Sequence, residues 1–143
     1  MVKAFVDANV LVSVLNKEYP LFTYSSRVLS LSGEKGFQLF TSPLCLAIGF
    51  YFAIKKCGEQ EAKRKIDMLS NHFLIAHIDQ VAVDNALRNP KVNDLEDGFQ
   101  YYAAVESGCT CIVTENQADY YFGELEVLSS EEFLKNYVFI KHK

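Results

Sequence analysis

Asp7, Asp97 and Asp119 are the residues with the clearest capacity for chemistry, each standing at the end of an apolar run or at the start of a helix-like one. Asp7 closes Val2-Lys3-Ala4-Phe5-Val6 and leads into Ala8-Asn9-Val10-Leu11-Val12, the pattern of a buried strand handing over to a helix. Open α/β sheets place their ligands at such carboxyl strand ends. Asp97 stands three residues after Asp94 and opens the run Gly98 to Glu106, while Asp119 lies just beyond the strand-like run Cys109 to Thr114. Two ionised carboxylates about 4 Å apart repel by roughly 4 kcal/mol at an effective dielectric near 20. Three gathered together must therefore take up protons or a cation. An all-oxygen site that keeps several waters suits Mg²⁺ or Mn²⁺, which can activate a bound water and polarise a phosphodiester. No histidine lies near these acids in the pattern, so water activated at the cation is the expected nucleophile.

Positioning these acids falls to an alternation of strands and helices without a linker or low-complexity tract. The first strand is followed by a helix to about Asn16, a break at Tyr19-Pro20, a helix from Tyr24 to Glu34 and a strand from Phe37 to Thr41. Ser42 caps a helix with Pro43 at its first position, running to about Lys56 before Cys57-Gly58 stops it. Glu59 to Asn71 is amphipathic, Phe73 to His77 a third strand, and Asp79 to Arg88 a helix begun by an aspartate cap. Asp94 to Ser107 is the next helix, Thr110 to Thr114 the fourth strand and Glu126 to Leu128 the fifth. The last helix, Ser129 to Tyr137, opens with a capping box in which Ser129 or Ser130 is followed by Glu132. Such alternation predicts a three-layer α/β/α sandwich around a central, mostly parallel five-stranded sheet, with residues 1–143 forming one domain.

Composition bounds the function. With 143 residues, 50% of them hydrophobic, the chain can bury a substantial core. No apolar stretch reaches the roughly 18 to 20 residues of a membrane span, and no signal-peptide pattern is read at the N-terminus. Cys45 and Cys57 lie at the two ends of one predicted helix, about 18 Å apart along its axis, too far for a bridge. Neither they nor Cys109 and Cys111 show zinc spacing, so all four are expected as reduced core residues of a cytoplasmic protein. The net charge is −4 and the pI about 5.3, which argues against a tight, nonspecific nucleic-acid binder but not against action on a nucleic acid through a local groove.

Phe5-Val6-Asp7-Ala8-Asn9-Val10-Leu11, Asp94-Leu95-Glu96-Asp97-Gly98-Phe99-Gln100-Tyr101 and Ile112-Val113-Thr114-Glu115-Asn116-Gln117-Ala118-Asp119-Tyr120 together resemble the PIN domain family in order and spacing, and the resemblance covers nearly the whole chain. It implies a Mg²⁺- or Mn²⁺-dependent ribonuclease, of the kind found as VapC-type toxins of bacterial toxin–antitoxin pairs, hydrolysing RNA to a 5′-phosphate and a 3′-hydroxyl. Asp7, Asp97 and Asp119 would form the acidic metal site, with Asn9, Thr114 and Asn116 as polar supports. It also implies a homodimer and a small antitoxin partner. One position departs from the pattern: where most relatives carry a fourth acid, this chain has Leu46-Ala47-Ile48-Gly49, and Ile48 cannot bind a metal. Asp94 or Glu96 would then have to compensate, and the alternative is a PIN-like domain that binds protein or RNA without cutting. A phosphorelay receiver fits the fold but lacks that class's early acidic pair and late lysine.

Ordinary explanations stand beside these. Asp94 suits a helix cap, worth about 0.5 to 1 kcal/mol, with Asp97 in the first turn. Asn116 and Asp119 are favoured turn residues, and Glu115 is expected to face solvent. Lys55, Lys56, Lys63, Arg64 and Lys65 read as a solvated face. Tyr51, Tyr101 and Tyr120 are expected first in the core, then at a dimer surface, then stacked on RNA bases.

Overall fold

The run Val2–Val6 forms β1, the middle strand of a five-stranded sheet in a computed structural model that describes residues 1–139. The sheet order is β3-β2-β1-β4-β5 and every pairing is parallel, with β2 at Phe37–Thr41, β3 at Leu74–Ile75, β4 at Cys111–Val113 and β5 at Glu126–Leu128. Ala4, Phe5 and Val6 are fully buried, as are Cys111, Ile112 and Val113 opposite them, because a central parallel strand is covered on both faces.

Seven α-helices are found among the described residues: α1 Ala8–Leu15, α2 Leu21–Ser30, α3 Pro43–Cys57, α4 Glu59–Ser70, α5 Gln80–Arg88, α6 Leu95–Glu106 and α7 Ser130–Tyr137. Helices α1, α3 and α4 pack on one another and α5 packs on α6. The connections β1 to β2 and β2 to β3 run in one direction across the sheet, while β3 to β4, through α5 and α6, runs back past β1. Right-handed crossovers therefore put these two groups of helices on opposite faces. That is the expected three-layer sandwich, with the sheet wholly rather than mostly parallel.

Local sequence decides most boundaries. Ser42 accepts the Cys45 amide at 3.0 Å, Asp79 accepts the Ala82 amide at 3.0 Å, and Ser129 and Glu132 form a reciprocal capping box. Three elements depart from these expectations. The third strand shrinks from the expected Phe73 to His77 to two exposed residues, since an edge strand has one neighbour to hold it. Helix α2 starts at Leu21, directly after Pro20, and passes into a 3-10 turn at Leu31–Gly33. Glu115, expected in solvent, accepts the amide and hydroxyl of Ser130 at 3.0 and 2.9 Å and so ties the end of β4 to α7.

Gly98 decides how α6 is seated. A Cβ there would come within 2.7 Å of Val92 Cγ1 and 3.0 Å of Ala86 Cβ, so only glycine lets the first turn of α6 lie against α5. Because Asp97 is its neighbour, the same contact sets the height of that carboxylate above the sheet. Gly98→Ala should destabilise the protein by about 1 to 3 kcal/mol, the usual cost of overpacking, as read by urea unfolding. An unchanged midpoint would show that the contact is slack.

Candidate active site

Strand order reverses between β1 and β4, and the pairing of Val6 with Val113 sets Asp7 beside Thr114 just past the carboxyl ends of both strands. The Asp7 backbone amide donates to the Val113 carbonyl at 3.0 Å, and the Thr114 hydroxyl donates to Asp7 Oδ2 at 3.0 Å. The Tyr120 hydroxyl donates to the same oxygen at 2.9 Å. Asp7 Oδ1 accepts the Ala8 amide at 2.7 Å and faces the Cys45 thiol at 3.8 Å. At 8% exposure, Asp7 is thus a buried carboxylate supplied with donors from four parts of the chain.

Asn9 buttresses this arrangement. Its amide nitrogen donates to Thr114 Oγ1 at 2.9 Å and its oxygen accepts the Glu115 amide at 3.0 Å, while the Asn116 amide also donates to Thr114 Oγ1, at 3.1 Å. Thr114 is itself fully buried behind Asp7. Asp97 comes from the first turn of α6, and Asp119 from a 3-10 turn at Gln117–Tyr120. Asp7, Asn9, Glu96, Asp97, Asn116 and Asp119 all line one cavity of 330 Å³. Asp94 does not line it. Its side chain accepts the Glu96 amide at 2.9 Å and caps α6, as its position before the helix suggested.

Burial is the main cause that pushes the Asp97 carboxyl up to about 7, followed by the negative charges of Asp94, Asp119, Asp7 and Glu96. Asp119 is raised by burial and then by Asp7 and Asp94, and Glu96 by burial and then by Asp94 and Asp7. The four ion pairs among the described residues, Arg27–Glu34, Arg64–Glu61, Arg88–Asp84 and Lys135–Glu131, include none of these acids. The cavity therefore has an uncompensated demand for positive charge. No three acidic, histidine or cysteine side chains among the described residues are drawn together closely enough to hold an ion between them. The donor set accordingly suits a hard cation held by few carboxylates and several waters, which is how Mg²⁺ is usually bound.

Several neighbours were not singled out as site residues from sequence. Tyr120, ranked first as core, is indeed buried, but its hydroxyl serves Asp7, and a buried tyrosine always needs such a partner. Cys45, read as core packing, also touches Asp7, and burial followed by the charge of Asp7 pushes its thiol up to about 12, so it stays protonated. Glu18, from the turn after α1, and Phe52, from α3, line the cavity without any signal in their spacing. Ile48, expected from the resemblance to stand where most relatives carry a fourth acid, lines it too. Tyr51, expected first in the core, is 55% exposed.

The parallel α/β/α sandwich brings these carboxylates to one cavity over its switch point. The family model described as PIN domain matches residues 3–118, and the chain belongs to that family. It is 29% identical over 139 residues to ribonuclease VapC1 of Aquifex aeolicus (strain VF5), covering 94% of this chain and 95% of the relative. Its fold is similar to the crystal structure of VapBC2 from Rickettsia felis bound to a promoter DNA fragment, with a TM-score of 0.69, 16% identity and coverage of 89% of this chain and 97% of that one. It is also similar to VapC20 of Mycobacterium tuberculosis, a sarcin-ricin loop cleaving toxin, with a TM-score of 0.59, 17% identity and coverage of 76% and 86%.

The Asp97 shift has a definite sign. Its folded value of about 7 lies above the roughly 3.9 of an unfolded aspartate, so the folded state holds the extra proton between the two. Metal-free protein should lose stability as pH rises from about 4 to about 7 and then level off, and added Mn²⁺ should stabilise most above pH 7. Thermal melts across pH 4 to 9 with and without Mn²⁺ test this, and a metal effect independent of pH would remove Asp97 from the site. Tyr120→Phe should weaken Mn²⁺ binding by about 10-fold, the scale of losing a partner that orients a ligand, while leaving the circular dichroism spectrum unchanged. Wild-type affinity in calorimetry would make the Tyr120 bond purely structural.

Proposed function

We propose that the protein is a divalent-metal-dependent endoribonuclease that hydrolyses RNA phosphodiester bonds at the cavity above β1 and β4. The observation that carries this reading is the convergence of Asp7, Asp97 and Asp119 on one cavity that has no basic partner among the described ion pairs. Membership of the PIN family and full-length similarity to a relative named as a ribonuclease support it.

Mg²⁺ or Mn²⁺ would be held by Asp7, Asp97 and Asp119, with Glu96 in the same cavity, and when bound it would polarise the phosphodiester and neutralise developing charge. Asp7 acts as the fixed ligand, because both of its oxygens are already oriented by donors. Asp97 and Asp119 are more exposed. Glu96 or Asp119, with pKa values raised by burial and neighbouring acids, can accept a proton from an attacking water. Asn9 and Asn116 line the same cavity and offer neutral groups to RNA oxygens. A small antitoxin protein would neutralise the activity, a partner that the similarity to VapBC2 from Rickettsia felis supports, and the resemblance to the PIN family makes a homodimer the working form we propose.

Ile48 in the cavity wall favours a second reading, a PIN-like domain that binds RNA or protein without cutting. The two readings separate in a cleavage assay on a pool of RNA fragments with Mn²⁺. The nuclease gives products with 5′-phosphate and 3′-hydroxyl ends, and both Asp7→Asn and Asp97→Asn lose more than the roughly 100-fold expected for an outer partner of the metal. Binding of RNA with no product, equally in wild type and variants, would establish the second.

A further inference from the structure

Helix α3 gives the cavity a wall unlike the other side. Ile48 and Phe52 lie four residues apart on one helical face and both line the 330 Å³ space that the acids occupy. Phe52 is 42% exposed, and Tyr51 meets it edge-on, ring centroids 5.3 Å apart at 81°. Lys55 holds its Nζ 4.3 Å from the Tyr51 centroid and 5.7 Å from that of Phe52. Neither Lys55 nor Lys56 forms one of the ion pairs among the described residues. An acidic floor thus adjoins a wall of one aliphatic and one aromatic side chain, rimmed by a tyrosine and the cation of Lys55.

We propose that this wall is the nucleobase subsite of the active site: a base next to the scissile phosphate stacks on Phe52 over Ile48, and Lys55 meets the adjoining phosphate. The proposal rests on the ribonuclease reading and names its substrate as single-stranded RNA. Only an unpaired base exposes the flat apolar face that a lone aromatic ring can bind, and aromatic stacking with a neighbouring cation is how single strands are gripped without a deep groove. Charge complementarity favours RNA over a second copy of the chain. A copy closed over this wall would bring together like lysines and seal uncompensated carboxylates, whereas RNA brings phosphate to Lys55 and an oxygen ligand to a cation on the acids. The cavity lies at the lower end of the roughly 300 to 1,000 Å³ of small-molecule sites, which suits one nucleotide and not a duplex.

The test is fluorescence anisotropy of a labelled single-stranded RNA decamer with full-length protein carrying Asp97→Asn to prevent cutting, beside an abasic chain of equal length. Adding Phe52→Ala should weaken decamer binding by about 10-fold, leave the abasic chain unaffected and be rescued by Phe52→Tyr. Lys55→Ala should lower the salt slope of binding by about 0.7, the value for one phosphate on a single strand. Mn²⁺ affinity of Phe52→Ala in the otherwise wild-type protein should be unchanged by calorimetry, which separates base binding from damage to the acidic site. Equal loss on both chains, or none, overturns the subsite while the ribonuclease reading stands. A parent that neither binds the decamer nor, with Asp97 restored, cuts RNA removes both. Dissociation of a dimer by Phe52→Ala in sedimentation velocity, with RNA affinity intact, would assign the wall to a second copy instead.

Discussion

The constraint on which this structure depends is the need to satisfy a buried carboxylate at the crest of the central strand. Asp7 is almost removed from water, and an ionised group in such a place costs several kcal/mol unless it is paired or well hydrogen-bonded. Its donors come from the first residue of α1, the end of β4, the 3-10 turn before β5 and the first turn of α3. Satisfying Asp7 therefore draws together segments that are more than a hundred residues apart in sequence. Cavity geometry and fold are specified by the same contacts, so this carboxylate is a fixed reference point beside the more exposed Asp97 and Asp119.

Helix termini soften the charge problem without removing it. Asp7 caps α1, and Asp94, Glu96 and Asp97 all occupy the N-terminal turn of α6, where the macrodipole favours negative charge by about 0.3 to 1 kcal/mol each. That is small beside the burial of these acids and their mutual repulsion, which in that order push the Asp97 carboxyl up to about 7. The remaining imbalance is what a divalent cation would remove. Local strain of this kind at a cavity, set within an otherwise self-consistent fold, is the pattern of a site kept for function.

Features that follow from local chemistry were legible in the sequence. The caps at Ser42, Asp79, Asp94 and Ser129 and the bounds of β1, β2 and β5 follow from a handful of adjacent residues. The order of motifs was enough to place Asp7, Asp97 and Asp119 around one cavity, because parallel α/β topology brings strand ends together. What could not be read depends on long-range pairing. Tyr120 and Cys45 were seen as packing residues, yet their polar atoms point at a partner 113 and 38 positions away. Glu115 had no local reason to leave solvent until α7 arrived beside it, and Glu18 enters the cavity only through the path of the chain after α1. The third strand failed as a prediction because its length is fixed by what β2 offers it, not by its own apolar run.

Ile48 has a different meaning once its surroundings are known. In isolation, an aliphatic residue where the resemblance to the family leads one to expect an acid looks like the loss of a ligand. In the fold it continues the apolar wall formed with Phe52, so the substitution exchanges charge for contact area within the same cavity. One acid fewer lowers the attraction for a cation in the absence of RNA, but a bound phosphodiester supplies oxygen ligands of its own. With a base held on the wall, each ligand would raise the affinity for the other by the same factor, as linkage requires. On this account the missing acid does not argue against catalysis. It would leave part of a cation's coordination to the substrate, so that RNA would strengthen the metal binding that the acids provide alone.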